Sequence, residues 1–373
     1  MSDTARAADG RDDGDSFSSA AVPTVGTVLS AVTVAALLVP VRHGADDPGL
    51  WIGAAAALVA TGVFLGRRHD VLERRLAGPV AAGASFLVVV LSGYAITQGV
   101  LGSVVVPGLE WSVSLLFVAF FVASGGVGVG IADYAGVSGR GLKHRLARST
   151  EMLLLAGIGL FAISVASLFV ALPVFLVAGE PTDFQWTIIE YVSFAVGLGA
   201  VTAGYLALRD HDVSFIDLER PTLRTVGWIV GGLILILAAN LGVSALMTVF
   251  GIEGSEHTTT QQAAENPDLL LVIIPAMVLF VGPFEELLYR NVIQKTLYGT
   301  FSRYGAVVVA SVVFTAVHIS AYATAGADQI LASLSLLFVL SLILGTIYER
   351  TDNLLVPALV HGCYNAAIFL TLL

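Results

Sequence analysis

The sequence predicts an all-α fold, a polytopic bundle of about eleven transmembrane helices with its chemistry in the last four. Three observations carry this reading. The chain of 373 residues is 56% hydrophobic and only 12% charged, with a mean hydropathy of +0.87. Its apolar residues fall into runs, most of them close to the ~20 residues that a helix needs to cross a bilayer. The segments between the runs alternate between basic and acidic along the chain.

Taken in order, residues 1–20 are polar and acidic, with Asp9, Asp12, Asp13 and Asp15. They lack a basic start and a short apolar stretch, so a disordered acidic cytoplasmic tail is expected rather than a signal peptide. The apolar spans follow at 22–41, 50–66, 80–102, 112–132, 152–178, 187–208, 225–250, 269–290, 304–323, 329–348 and 354–373. Span 50–66 is short for a crossing. With the N-terminus inside, the inner segments hold 17 of the 18 Lys and Arg, and only Arg42 falls outside. The outer segments hold acids such as Asp46, Glu110, Glu180, Glu253, Glu256 and Asp328. By the positive-inside rule the N-terminus is expected in the cytoplasm and the C-terminus outside a cell membrane.

Net charge is −10, and Lys143 and Lys295 are the only lysines. An acidic, lysine-poor, Ala/Val/Gly-rich chain suggests a high-salt, halophile-like source. Cys363 is the only cysteine, which excludes an intrachain disulfide and a cysteine metal cluster. Membrane lipid is the expected surrounding, and nucleic acid is not an expected partner. Residues 21–250 read as an accessory transmembrane region of quiet chemistry. Gly125, Gly126, Gly128 and Gly130 loosely resemble a phosphate loop, but they sit in an apolar span with no strand before them. Close helix packing explains them better. Glu190, Asn240 and Ser244 are expected to be structural. His43, His69, His144, His211 and His257 fall in loops and read as solvated surface. No internal repeat stands out, which weakens a transporter reading.

The span 269–290 ends in Phe284-Glu285-Glu286-Leu287-Leu288-Tyr289-Arg290. An ionised side chain at a helix centre costs roughly 2.5–3.5 kcal/mol on insertion scales, so charges here need a reason. Glu286 and Arg290 are four apart with the acid first, the good order for an ion pair. Glu285 lies about 100° round the helix without a local cation, the setting of a general base. Phe314 and His318 are four apart on the next span, and His361 and Asn365 on the last. Counted from a turn near Phe301, Glu285 and His318 reach nearly the same depth, about 25 Å along a hairpin. His361 and Asn365 come out roughly a helical turn shallower.

The three patterns Glu285-Glu286-x-x-x-Arg290, Phe314-x-x-x-His318 and His361-x-x-x-Asn365 resemble the motifs of the CAAX prenyl protease type 2 and bacteriocin-processing (CPBP) family of intramembrane endopeptidases. The resemblance covers about residues 269–373. It implies an all-α protease core with a cavity open to lipid and to the cytosolic side. In that family reading Glu285, with His318, activates a water for attack on a peptide carbonyl. His361 and Asn365 stabilise the oxyanion, while Glu286, Arg290 and Phe314 support them. The implied substrate is a membrane-associated protein, of which a prenylated CAAX tail is one class.

No cofactor is favoured, but a zinc site built from Glu285, His318 and His361 stays open, since two histidines and a glutamate are a known zinc set. Two other functions also stay open. One is a non-catalytic membrane scaffold or immunity-type member of the same fold. The other is a transporter using these residues as a proton path.

Overall fold

The computed structural model describes residues 13–42, 47–105 and 112–373, with side chains described from residue 20 onward. Most of the expected tail, together with His43, Asp46 and Glu110, lies outside the described residues. The chain is an all-α helical bundle with one small hairpin, β1 (Ser103–Val105) paired antiparallel to β2 (Ser112–Ser114). It divides into two compact units, Met1–His144 and Arg145–Leu373.

The first unit holds α1 (Asp13–Arg42), α2 (Pro48–Arg68), α3 (Arg74–Thr97) and α4 (Leu115–Tyr134). Helix α1 begins at Asp13, inside the segment expected to be a disordered tail. The short apolar run at 50–66 gains a turn from the Asp47 cap and the following Pro48, and α2 reaches 21 residues. Of the four glycines of α4, Gly126 and Gly130 pack closely, whereas a Cβ on Gly128 would meet nothing within 4 Å. A Cβ on Gly130 would lie 2.8 Å from the Ala82 backbone nitrogen, and one on Gly126 2.9 Å from Ser85 Oγ. Only glycine lets α3 and α4 approach this closely.

The second unit begins within α5 (Gly139–Ala178) and continues with α6 (Asp183–Leu208) and α7 (Leu223–Val249). After the short α8 (Thr258–Glu265) come α9 (Pro267–Leu297), α10 (Arg303–Val317), α11 (Ala327–Thr351) and α12 (Leu355–Leu370). Helices α5 to α7, grouped by sequence with an accessory region, thus share a unit with residues 269–373. All eleven expected spans are helices, nine of them long and apolar enough to cross a membrane among the described residues. The exceptions are α10 and α12, with 15 and 16 residues. They are also the helices that carry the two histidine motifs.

Helix α9 is not regular. It takes π-helical geometry over Met277–Val281 and again over Leu287–Gln294. Pro275 and Pro283 bracket the first stretch, and each removes a backbone donor from the usual ladder. The Glu285-Glu286 pair sits on the short α-helical piece between the two. Widened turns of this kind are rare and concentrate at functional sites.

Helices α9 and α12 touch backbone to backbone. A Cβ on Gly282 would lie 2.4 Å from the Ala358 carbonyl oxygen, and one on Gly362 2.7 Å from that of Met277. The two glycines face each other across the crossing, each one or a few residues from a motif residue. A Gly362→Ala variant is expected to force the helices apart, at a cost of about 1–3 kcal/mol. A lowered thermal midpoint in detergent, with the rest of the fold retained by circular dichroism, is the measurement that checks it.

Candidate active site

Glu286 is the anchor. It is fully buried, and both of its carboxylate oxygens are engaged. Oε2 accepts from Arg290 Nε at 2.9 Å, the ion pair that the i,i+4 spacing predicts. Oε1 accepts from His361 Nδ1, also at 2.9 Å, across the α9–α12 contact. Arg290 is equally buried and donates from Nη2 to Ser341 Oγ at 3.2 Å. Its guanidinium lies 5.1 Å from the centre of the Phe314 ring. With each oxygen bonded and the side chain fully buried, Glu286 is turned into the protein and does not line the cavity.

Glu285, one position earlier, points into a cavity of about 370 Å³ lined mostly by apolar side chains. Two imidazoles flank it. Its Oε1 is 3.5 Å from His318 Nε2, and its Oε2 is 3.6 Å from His361 Nε2. Each ring is held by its other nitrogen. His318 Nδ1 donates to the Phe314 carbonyl oxygen at 2.7 Å, and His361 Nδ1 to Glu286. In the neutral rings both Nε2 atoms are then acceptors, able to take up a proton, and each donates to a bound group only once its ring is protonated. The depth argument from the hairpin thus brings Glu285 and His318 together. The expected one-turn offset of His361 does not keep it away.

His318 differs from expectation in one respect. It does not lie within a span but caps the C-terminal end of α10, which stops at Val317. Carbonyls exposed at a helix C-terminus favour a cationic imidazole there. Phe314 holds the group together, its ring 4.3 Å from that of His318 and 6.1 Å from that of His361. Asn365 is half-buried and lines the same cavity one turn beyond His361. Its amide has no hydrogen-bond partner among the described residues. Cys363 is half-buried and does not line the cavity.

Two imidazoles and a carboxylate are donors that suit zinc. Among the described residues, however, no group of three or more His, Cys, Asp or Glu side chains is arranged to hold a metal ion.

Several cavity residues were not legible in the sequence. His257 reads there as solvated surface, but it is half-buried and lines the cavity with Thr258, Thr259 and Thr260. The loop before α8 folds back because Ser333 Oγ donates to the Ser255 carbonyl and Thr324 Oγ1 to that of Glu256. The His257 ring meets the Tyr322 ring edge-on at 5.2 Å. Its Nδ1 accepts from the Thr259 N–H at 3.1 Å, capping α8. Glu190, assigned a structural role from its place near a helix end, also lines the cavity, as do Tyr289 and Tyr364. Tyr364 additionally donates to Asn240 on α7 at 3.2 Å, an inter-helix bond.

Residues 267–367 match the family model described as Type II CAAX prenyl endopeptidase Rce1-like. Those residues, about a quarter of the chain, are similar to the domain that this model describes. The match spans α9 to α12 and so contains Glu285, His318, His361 and Asn365. No curated protein and no solved structure matches the chain.

Two outcomes are expected of this arrangement. Removing the cation alone, as in Arg290→Met, leaves a fully buried carboxylate with only the His361 bond and should cost about 3–5 kcal/mol. Thermal unfolding in detergent reads this directly. The second concerns His257, outside the membrane-spanning helices. Burial, with the His318 imidazole close by, pushes it down from 6.5 to about 4, against the opposing pull of Glu285. Between those values the unfolded chain binds a proton that the folded chain does not. Its contribution to stability is therefore complete above pH 6.5 and is lost as the pH falls towards 4. A His257→Gln variant should show a shallower loss of melting temperature across that window.

Proposed function

We propose that residues 267–367 form the active centre of an endopeptidase that hydrolyses a peptide bond of a membrane-associated protein. The observation that carries this is the Glu285 carboxylate, set in a mainly apolar cavity between two oriented imidazole Nε2 atoms. Glu285 takes a proton from a water as it attacks the scissile carbonyl. His318, held through Nδ1, shares that proton and passes it to the leaving amine. The Asn365 amide donates to the oxyanion, and His361 does so from Nε2 in its doubly protonated form, with Glu286 as counter-ion on Nδ1. Glu286 does not react. It fixes the His361 ring, keeps a proton on its Nδ1 and stabilises any positive charge that develops there.

Metal-independent water activation is the form of this reaction that the residues favour. Glu285 cannot easily serve as both base and ligand, and Glu286 is released for either role only by leaving Arg290 and His361. The family's name makes a prenylated CAAX-type tail the first substrate to try. The chain sits in a cell membrane with its N-terminus in the cytoplasm and its C-terminus outside, as the distribution of Lys and Arg supports.

Purified wild type should cleave membrane-peptide substrates, farnesylated CAAX peptides among them, in a strong chelator. Glu285→Gln should lower the rate by about 10²–10⁴-fold, the range for removing a general base. Asn365→Ala should lower it by about 10²–10³-fold, as for an oxyanion donor. Mass spectrometry of the products is the readout. Loss of cleavage with chelator and its return with zinc would overturn the metal-free form. Equal inactivity of folded wild type and Glu285→Gln would favour a non-catalytic scaffold.

A further inference from the structure

Within Arg145–Leu373 the cationic side chains are segregated. All nine Lys and Arg lie at one end of the helices or, for Arg290, in the core towards that end. They are Arg145, Arg148, Arg209, Arg220, Arg224, Arg290, Lys295, Arg303 and Arg350. The opposite end has none. Of its connections, the segments 179–182 and 250–257 carry Glu180, Glu253 and Glu256, and 318–326 carries neither acid nor Lys or Arg.

The cavity belongs to the acidic end. From Glu285 its wall continues through Tyr322, Ser320 and the loop at His257 and Thr258. Thr258 and Ser320 are exposed. None of the basic-end connections, at 209–222, 298–302 or 352–354, contributes a lining residue. Towards the basic end the site is closed. From Leu288 to Gln294 no residue is more than 3% exposed. Below them Asp217 ties the preceding loop to α9 and α11, accepting from Lys295 Nζ at 2.7 Å and Tyr348 OH at 2.6 Å. Its backbone N–H donates to Asn291 Oδ1 at 2.8 Å.

The positive-inside rule puts the Lys/Arg end in the cytoplasm. We infer that the Glu285 cavity opens to the extracytoplasmic face, and that its substrate is a polypeptide segment presented there or in the outer half of the bilayer. The second part rests on the protease reading above. The inference departs from the cytosolic opening that the family resemblance implies, because this chain's charge pattern and cavity point to opposite ends of the same helices.

The test uses the full-length chain in intact cells, with Cys363→Ala removing the only native thiol. Thr258→Cys reports the cavity end, and Leu218→Cys, in the exposed loop before α7, reports the other. A membrane-impermeant maleimide is expected to label Thr258→Cys in intact cells, and Leu218→Cys only after lysis. The reverse pattern overturns the inference. A parallel assay in detergent compares wild type with Glu285→Gln on the same membrane-peptide substrates, where sidedness has no effect. Cleavage in detergent with the reverse labelling keeps the protease and removes the sidedness. The expected labelling without Glu285-dependent cleavage keeps the outward cavity and removes the protease. With both positive, an impermeant substrate added outside sealed right-side-out vesicles should be cut, and loss of that cleavage while inverted vesicles cut it would overturn the proposed route.

Discussion

The buried charge cluster on Glu286 is the constraint around which the second unit is arranged. A carboxylate and a guanidinium at complete burial are costly unless their hydrogen-bonding groups are met. Glu286 meets the requirement by bonding Arg290 on its own helix and His361 on α12. Arg290 in turn reaches Ser341 on α11 and the Phe314 face on α10. One ion pair therefore touches all four helices of the family domain. The ion pair itself lies within α9, so displacement of α10, α11 or α12 costs it a ring contact or a hydrogen bond.

Backbone geometry lets the cluster form. Gly282 and Gly362 remove the side chains that would hold α9 and α12 apart, so that His361 comes within hydrogen-bonding distance of one glutamate and close to the other. The widened turns of α9 change the angular spacing of successive side chains. Through one stretch of helix Glu285 faces the cavity, while Glu286 and Arg290 face protein. A regular helix would place adjacent glutamates about 100° apart as well. The second widened stretch carries Asn291 and Gln294, which bond the Phe215 and Gly345 carbonyls, and Lys295 just beyond it bonds Asp217.

Much of this was legible in the sequence, for identifiable reasons. Span positions follow from hydropathy alone, which is strong in a membrane chain because each crossing needs a long apolar run. The Glu286–Arg290 pair and the Glu285–His318 approach follow from helical spacing and from counting along a hairpin. What could not be read depends on tertiary folding of polar segments. His257 lies in a loop whose sequence looks solvated, and it enters the cavity only because Ser333 and Thr324 pull that loop inward. The His361–Glu286 bond was hidden for another reason. Charge logic assigned Glu286 wholly to Arg290, and a carboxylate has two oxygens. The π-helical turns give no periodic signal, although Pro275 and Pro283 mark the region as irregular.

The lengths of α10 and α12 have a consequence for the lipid around them. At 15 and 16 residues, a rise of about 1.5 Å per residue makes them roughly 22–24 Å long. A hydrocarbon layer is about 30 Å thick. Neither helix can bridge it, so next to this domain the bilayer must thin or the polar connections must dip into it. His318 ends one of these short helices, and Asn365 lies near the far end of the other. Hydrophobic mismatch thus brings the aqueous boundary to the depth of His318 and Asn365. Water can then reach polar side chains embedded among apolar helices through the shape of the membrane as well as through the cavity.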